Sequence, residues 1–154
     1  MNTAQYPDLF DACTPRGDVL DGTLQEDQFA ASLSTVAHTS DEAAPVYREA
    51  NEFFDMTYPT DGLRTLLSNL AGRFLAAGGY DSGGYSSSIL CLDTRFGGGK
   101  THDLIASYHL ANNPTDIGDL SRHLVEDADD LGAAYLDAVN HGHDVDTSVF
   151  GGGH

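Results

Sequence analysis

Apolar side chains recur at helical spacing through much of the chain. Phe29, Leu33 and Val36 share one face, and Thr23 followed by Glu26 has the capping-box spacing that satisfies free backbone donors at a helix start. The pattern predicts a first helix over about 24–37. Residues 38–45 read as a loop and 47–54 as a short helical segment. Thr57, Tyr58, Pro59 and Thr60 then break the pattern and supply another cap. Behind them Leu63, Leu66, Leu67, Leu70 and Phe74 line one side of a further helix. A stripe of this kind is packing surface before it is a partner-binding face.

The pattern changes after a glycine-rich turn at 78–84. Residues 87–92, Ser-Ser-Ile-Leu-Cys-Leu, form a short and mostly apolar run with the look of a buried parallel strand. Helical spacing returns over 103–111 through Leu104, Ile105, Tyr108 and Ala111, and Asn113 with Pro114 ends it. Two amphipathic segments follow, about 117–125 and 128–139, and a second short strand is expected near 147–150. The glycine run after Phe150, ending in His154, echoes an earlier one but is followed by no helix. It reads as a flexible end.

Composition sharpens this outline. A length of 154 residues fits one ordinary domain. The 24 acidic and 7 basic side chains give a formal charge of -17, which argues against DNA, RNA or an anionic membrane as a direct partner. Lys100 is the single lysine, beside arginines at 16, 48, 64, 73, 95 and 122, and the acids are mostly aspartate. Such a surface suits a salt-rich cytoplasm, where screening over about 3 Å at 1 M removes most self-repulsion. With 40% hydrophobic and 20% charged residues, the chain has the make-up of a folded protein and not of an acidic disordered one. Cys13 and Cys91 are too few and too far apart for a redox pair or ligand cluster. The N-terminus lacks a basic, apolar signal and no stretch is long enough to span a bilayer, so a soluble cytoplasmic protein is expected.

The chemistry concentrates in Thr94, Arg95, Phe96, Gly97, Gly98, Gly99, Lys100 and Thr101, to be set beside the phosphate-binding loop G-x-x-x-x-G-K-[ST]. Small residues let backbone N–H groups curl around a phosphate, and the following helix aims its positive end at the anion. In that scheme Lys100 reaches the β- and γ-phosphates and the Thr101 hydroxyl ligates Mg²⁺. His102 abuts the loop and touches either the nucleotide or a neighbouring acid, or only covers the first helical turn. Thr94 stands where the motif opens with glycine, so the first tight turn lacks glycine's conformational freedom, and Gly97 and Gly98 are placed to compensate. The alternative is a glycine-rich connector that binds nothing. The sole lysine falls where a compact ammonium suits phosphate binding, which corroborates the first reading.

Phe96 to Leu110, with the lead-in features Pro15–Arg16, Asp18 to Leu20, Gly22 to Leu24, Phe53–Phe54, Thr57 to Thr60 and Gly62–Leu63, resembles the nucleotide-binding core of large prokaryotic AAA+-type ATPases, domain of unknown function family four-nine-nine. The resemblance covers nearly the whole chain from Pro15. It implies an ATP-binding protein with Lys100 and Thr101 as its phosphate and Mg²⁺ residues, and a loop opening with threonine as a family trait. Members are much longer, so the implied partners beyond the nucleotide are the remainder of a larger ATPase or other subunits.

The expected fold class is therefore α/β: a helical lead-in followed by the incomplete start of a P-loop NTPase parallel sheet, in the order strand, loop, helices, strand. The divisions fall at a flexible arm over 1–14, the lead-in over 15–77, the turn over 78–86 and the nucleotide-binding part over 87–154. Hydrolysis needs a second acidic strand end, and none is evident: Asp93 sits before the loop and Asp137 on a helical pattern. Neither Arg95 nor Arg122 can be assigned as an arginine finger. His109 near its helix's C-terminus suits the dipole. His141, His143 and Asp144 in one turn are weak evidence for a metal. The rival class is a non-enzymatic interaction module whose glycine loop is idle.

Overall fold

A computed structural model describes residues 17–22, 32–38, 43–85, 87–91, 99–126, 129–142 and 145. The chain divides into two units, Met1–Ala30 and Ala31–His154. In the first, the described residues form helix α1 (Gly17–Leu20) and a turn in which Gly22 takes a positive φ of 65°. The predicted capping box at Thr23 and Glu26 lies outside the described residues.

The second unit contains α2 (Leu33–His38), α3 (Pro45–Arg48), α4 (Ala50–Asp55), α5 (Asp61–Ala77), α6 (Lys100–Asn112) and α7 (Asp129–Asn140). Single 3₁₀ turns at Pro114–Asp116 and Ser121–His123 join α6 to α7. Helix α5 is the central element and packs against both α6 and α7. It starts where the sequence places a cap, with Thr60 Oγ1 accepting from Leu63 N at 3.3 Å and Asp61 complementing the helix dipole. Its apolar stripe turns inward: Leu63, Leu67, Ala71 and Leu75 join Ile105, Ala106 and Leu110 of α6 and Leu131, Tyr135 and Ala138 of α7 in one core. The short helical segment predicted over 47–54 is split, because Glu49 leaves the helical region at φ -93°, ψ 123°.

Three buried polar groups fix how these helices meet. Tyr135 of α7 donates its hydroxyl to Leu110 O of α6 at 2.8 Å. His109 of α6 holds Tyr47 O with Nε2 at 2.9 Å, so the histidine that suited a helix dipole also ties α6 to α3. Ser68 Oγ accepts from Val125 N at 3.0 Å and anchors the stretch after the second 3₁₀ turn onto α5. Each bond is worth about 1 kcal/mol net, and losing one partner leaves a buried group unsatisfied at about 1–3 kcal/mol.

The expected α/β class is overturned. Every regular element among the described residues is helical, and no strand or parallel sheet occurs among them. Residues 87–91, assigned to the strand before the loop, are irregular, and Ile89 is 87% exposed. A parallel strand needs a paired neighbour and cover on both faces, and no strand occurs among the described residues to pair with this one. The expected second strand at 147–150 lies outside the described residues. A second correction concerns 117–125, predicted as an amphipathic helix. Ile117, Leu120 and Leu124 are buried as their spacing requires, but only one 3₁₀ turn forms. Asp119 Oδ1 accepts from Ser121 Oγ at 2.7 Å and from Arg122 N at 3.4 Å, a local side-chain alternative to helical bonding. No helix of the described residues is long and apolar enough to cross a membrane.

Candidate functional site

The start of α6 is where the sequence motif meets describable structure. Thr94, Arg95, Phe96, Gly97 and Gly98 lie outside the described residues. Gly99, Lys100, Thr101 and His102 lie within them and form one continuous turn. Gly99 is the residue before the helix, held left-handed at φ 79°, ψ 7°, a conformation that glycine adopts without the Cβ penalty. Asp103 N donates to Gly99 O at 2.9 Å and closes the first turn. The amides of Lys100, Thr101 and His102 precede the helix's own backbone acceptors, and Gly99, in the cap position, has no side chain to offer them.

Lys100 and Thr101 are exposed, His102 and Asp103 are half-buried. The first turn thus carries an ammonium and a hydroxyl beside its terminal amides, groups of the kind that bind anions. Burial pushes the Asp103 carboxyl above the ordinary carboxylate range, and His102 beside it pulls in the other direction. Among the described residues no group of three or more His, Cys, Asp or Glu side chains is arranged to hold a metal. His141 bonds back to Asp137 O through Nδ1 at 2.7 Å, whereas His143 and Asp144 lie outside the described residues.

Two neighbours of this site carry no mark in the sequence motif. Thr57, between α4 and α5, lies with Oγ1 3.0 Å from His102 Nε2. Phe53 of α4 stacks on the His102 ring at a centroid distance of 4.5 Å and 32° between planes. Phe53 also meets Tyr47, Phe54 and His109, so the helix start rests on an aromatic cluster. The sequence offered Thr57 only as part of a helix break. Its partner stands 45 positions away, and no local period connects them.

His123 also went unmarked in the sequence, although it stands three residues after Leu120 on the buried side. It is buried against the edge of Phe54 at 4.8 Å, with Nδ1 unpartnered among the described residues. Burial lowers the pKa of both His123 and His102 below 6.5; Arg122 and Arg64 lower that of His123 further, and Asp119, Asp55 and, for His102, Asp103 oppose. The unfolded chain therefore binds protons at these rings from about pH 6.5 while the folded chain still resists. Their contribution to stability is complete above that pH and is lost as pH falls through it toward the folded values. Asp103, with its raised pKa, acts in the opposite sense and in a lower window. The urea midpoint is expected to be higher at pH 7.5 than at pH 5.5, with a smaller difference in His123→Leu. Equal midpoints at the two pH values for the wild-type chain would contradict this.

A family model described as the DUF499 N-terminal domain matches residues 9–141. No curated protein and no solved structure matches the chain.

Proposed function

The chain belongs to the DUF499 family, as its N-terminal domain, and on that premise we propose that it binds ATP with Mg²⁺ at the start of α6 and works as part of a larger ATPase. The observation that carries the reading is the left-handed Gly99 leading into a 13-residue helix whose first turn presents Lys100 and Thr101 to solvent. Backbone amides of the turn hold phosphate oxygens, Lys100 Nζ pairs with the β- and γ-phosphates, and Thr101 Oγ1 takes a place on Mg²⁺. These contacts are local to a loop and a helix terminus. They require no sheet beneath them.

Charge does not forbid the ligand. The acidic surface is screened over a few ångströms in molar salt, about 3 Å, whereas the amides and Lys100 act at contact. We extend the proposal to a salt-rich cytoplasm, supported by 24 acidic residues against a single lysine among 7 basic ones. Hydrolysis is assigned to the larger assembly, since no acidic strand end accompanies the helix among the described residues.

Titration calorimetry of ATP–Mg²⁺ in molar KCl tests the reading on the wild-type chain and on Lys100→Ala. Binding by the wild type and a loss of at least about 10-fold in the variant is expected, the size of one charge-assisted contact of about 1.5–3 kcal/mol. Equal binding by both, or none by either, leaves the idle-loop interaction module as the better account.

A further inference from the structure

Thr57 is buried, and its hydroxyl lies between two partners, 2.6 Å from Phe53 O and 3.0 Å from His102 Nε2. A hydroxyl has one proton and a carbonyl can only accept, so the proton goes to Phe53. Thr57 Oγ1 is then left to offer a lone pair, and His102 must meet it with Nε2–H. The ring stacked on Phe53 is held in one orientation and one protonation pattern by groups from outside its own helix. Lys100, Thr101 and Leu104 are exposed, Gly99 has no side chain to cap the helix, and the first core residue of α6 is Ile105.

We propose that His102 and Thr57 are positioning residues of the phosphate site: their hydrogen bond sets the first turn of α6 against the segment after α4, and so sets where Lys100, Thr101 and the backbone amides of that turn point. The inference rests on the reading that ATP binds at the start of α6. A cluster of donors binds a phosphate well only when its members converge within fractions of an ångström. Gly99, which leads into the helix, has no side chain with which to brace the turn. The Thr57–His102 contact braces it from 45 residues away.

The test is ATP–Mg²⁺ titration of the full chain in molar KCl, at a temperature where circular dichroism shows each variant folded. The variants are Lys100→Ala, Thr57→Val, Thr57→Ser, His102→Phe and His102→Gln. Thr57→Val and His102→Phe are expected to weaken binding roughly 5- to 10-fold, the loss of one neutral hydrogen bond. Thr57→Ser, which keeps the hydroxyl, and His102→Gln, which keeps a donor near Nε2, are expected to stay within about 2-fold of wild type. The double variant Thr57→Val with His102→Phe is expected to be no weaker than the worse single one, because both remove the same bond. A contribution to packing alone would give additive losses and no rescue by serine.

If Lys100→Ala loses binding while Thr57→Val and His102→Phe bind like wild type, the positioning role is overturned and the ATP site stands. If Lys100→Ala binds like wild type, or the wild type does not bind, the ATP reading fails and this one with it. Should Thr57→Val not fold, the His102→Phe and His102→Gln pair decides, since both leave the Thr57 to Phe53 bond in place.

Discussion

Gly72→Ala is expected to destabilise the chain by about 3 kcal/mol or more, enough to lower its melting temperature by about 10 °C. Gly72 lies buried in the middle of α5, where glycine is itself unfavourable by about 1 kcal/mol relative to alanine. Its presence is explained by what crosses it. A Cβ built there would overlap the Tyr85 carbonyl oxygen, with the carbonyl carbon at 2.6 Å and Tyr85 Cβ at 2.5 Å. The obstacle is backbone, which cannot step aside as a side-chain tip can. Tyr85 packs on the core, so the methyl must either lift that segment or bend α5 away from α6 and α7. Gly62→Ala is the control in the same helix: nothing lies within 4 Å of its Cβ position, and a gain of about 0.5–1 kcal/mol is expected. Denaturant titration of the two variants should therefore give midpoint shifts of opposite sign. A stabilising Gly72→Ala would mean that the segment around Tyr85 does not sit on α5.

How far the sequence told this in advance depends on the length over which a period could act. Leu63, Leu66, Leu67, Leu70 and Phe74 repeat over three turns, and α5 follows with its cap at Thr60. Leu104, Ile105, Tyr108 and Ala111 likewise mark α6, although the helix begins earlier, at Lys100. The run at 87–92 carried no period at all. Four apolar residues suit a strand only if others pair with them, and the described residues contain no strand, so the run read as a buried strand is irregular over 87–91. At 117–125 the spacing correctly named the buried residues Ile117, Leu120 and Leu124, but Asp119 turned the backbone locally, and burial survived without the helix. At the candidate site, Gly99, Lys100, Thr101 and His102 were legible because they are contiguous. Thr57 and Phe53 were not, because contacts to His102 across 45 residues or more are made by tertiary packing alone.

Phe53→Ala is expected to cost about 3–5 kcal/mol, the range for truncating a fully buried aromatic. Against a typical total of about 5–15 kcal/mol, this leaves a marginal protein. Phe53 is 1% exposed and lies among the rings of Tyr47 at 6.4 Å, Phe54 at 5.4 Å, His102 at 4.5 Å and His109 at 5.5 Å. Those rings come from α3, α4 and α6, so the cavity would open where the lead-in helices meet the helix that carries Lys100. Collapse is hindered on two sides, because His109 is tied to Tyr47 O and His102 to Thr57. The backbone acceptor at Phe53 survives truncation, so the loss measures packing and not the Thr57 bond. Phe53→Leu refills most of the volume and is expected to be the milder change by at least about 1.5 kcal/mol. It still removes the flat surface under His102, and its ATP affinity should fall more than its stability does. Denaturant unfolding and ATP titration on both variants separate the two effects. A Phe53→Ala loss under about 1 kcal/mol would show that the surrounding rings close the gap freely, and that α4 does not brace the first turn of α6.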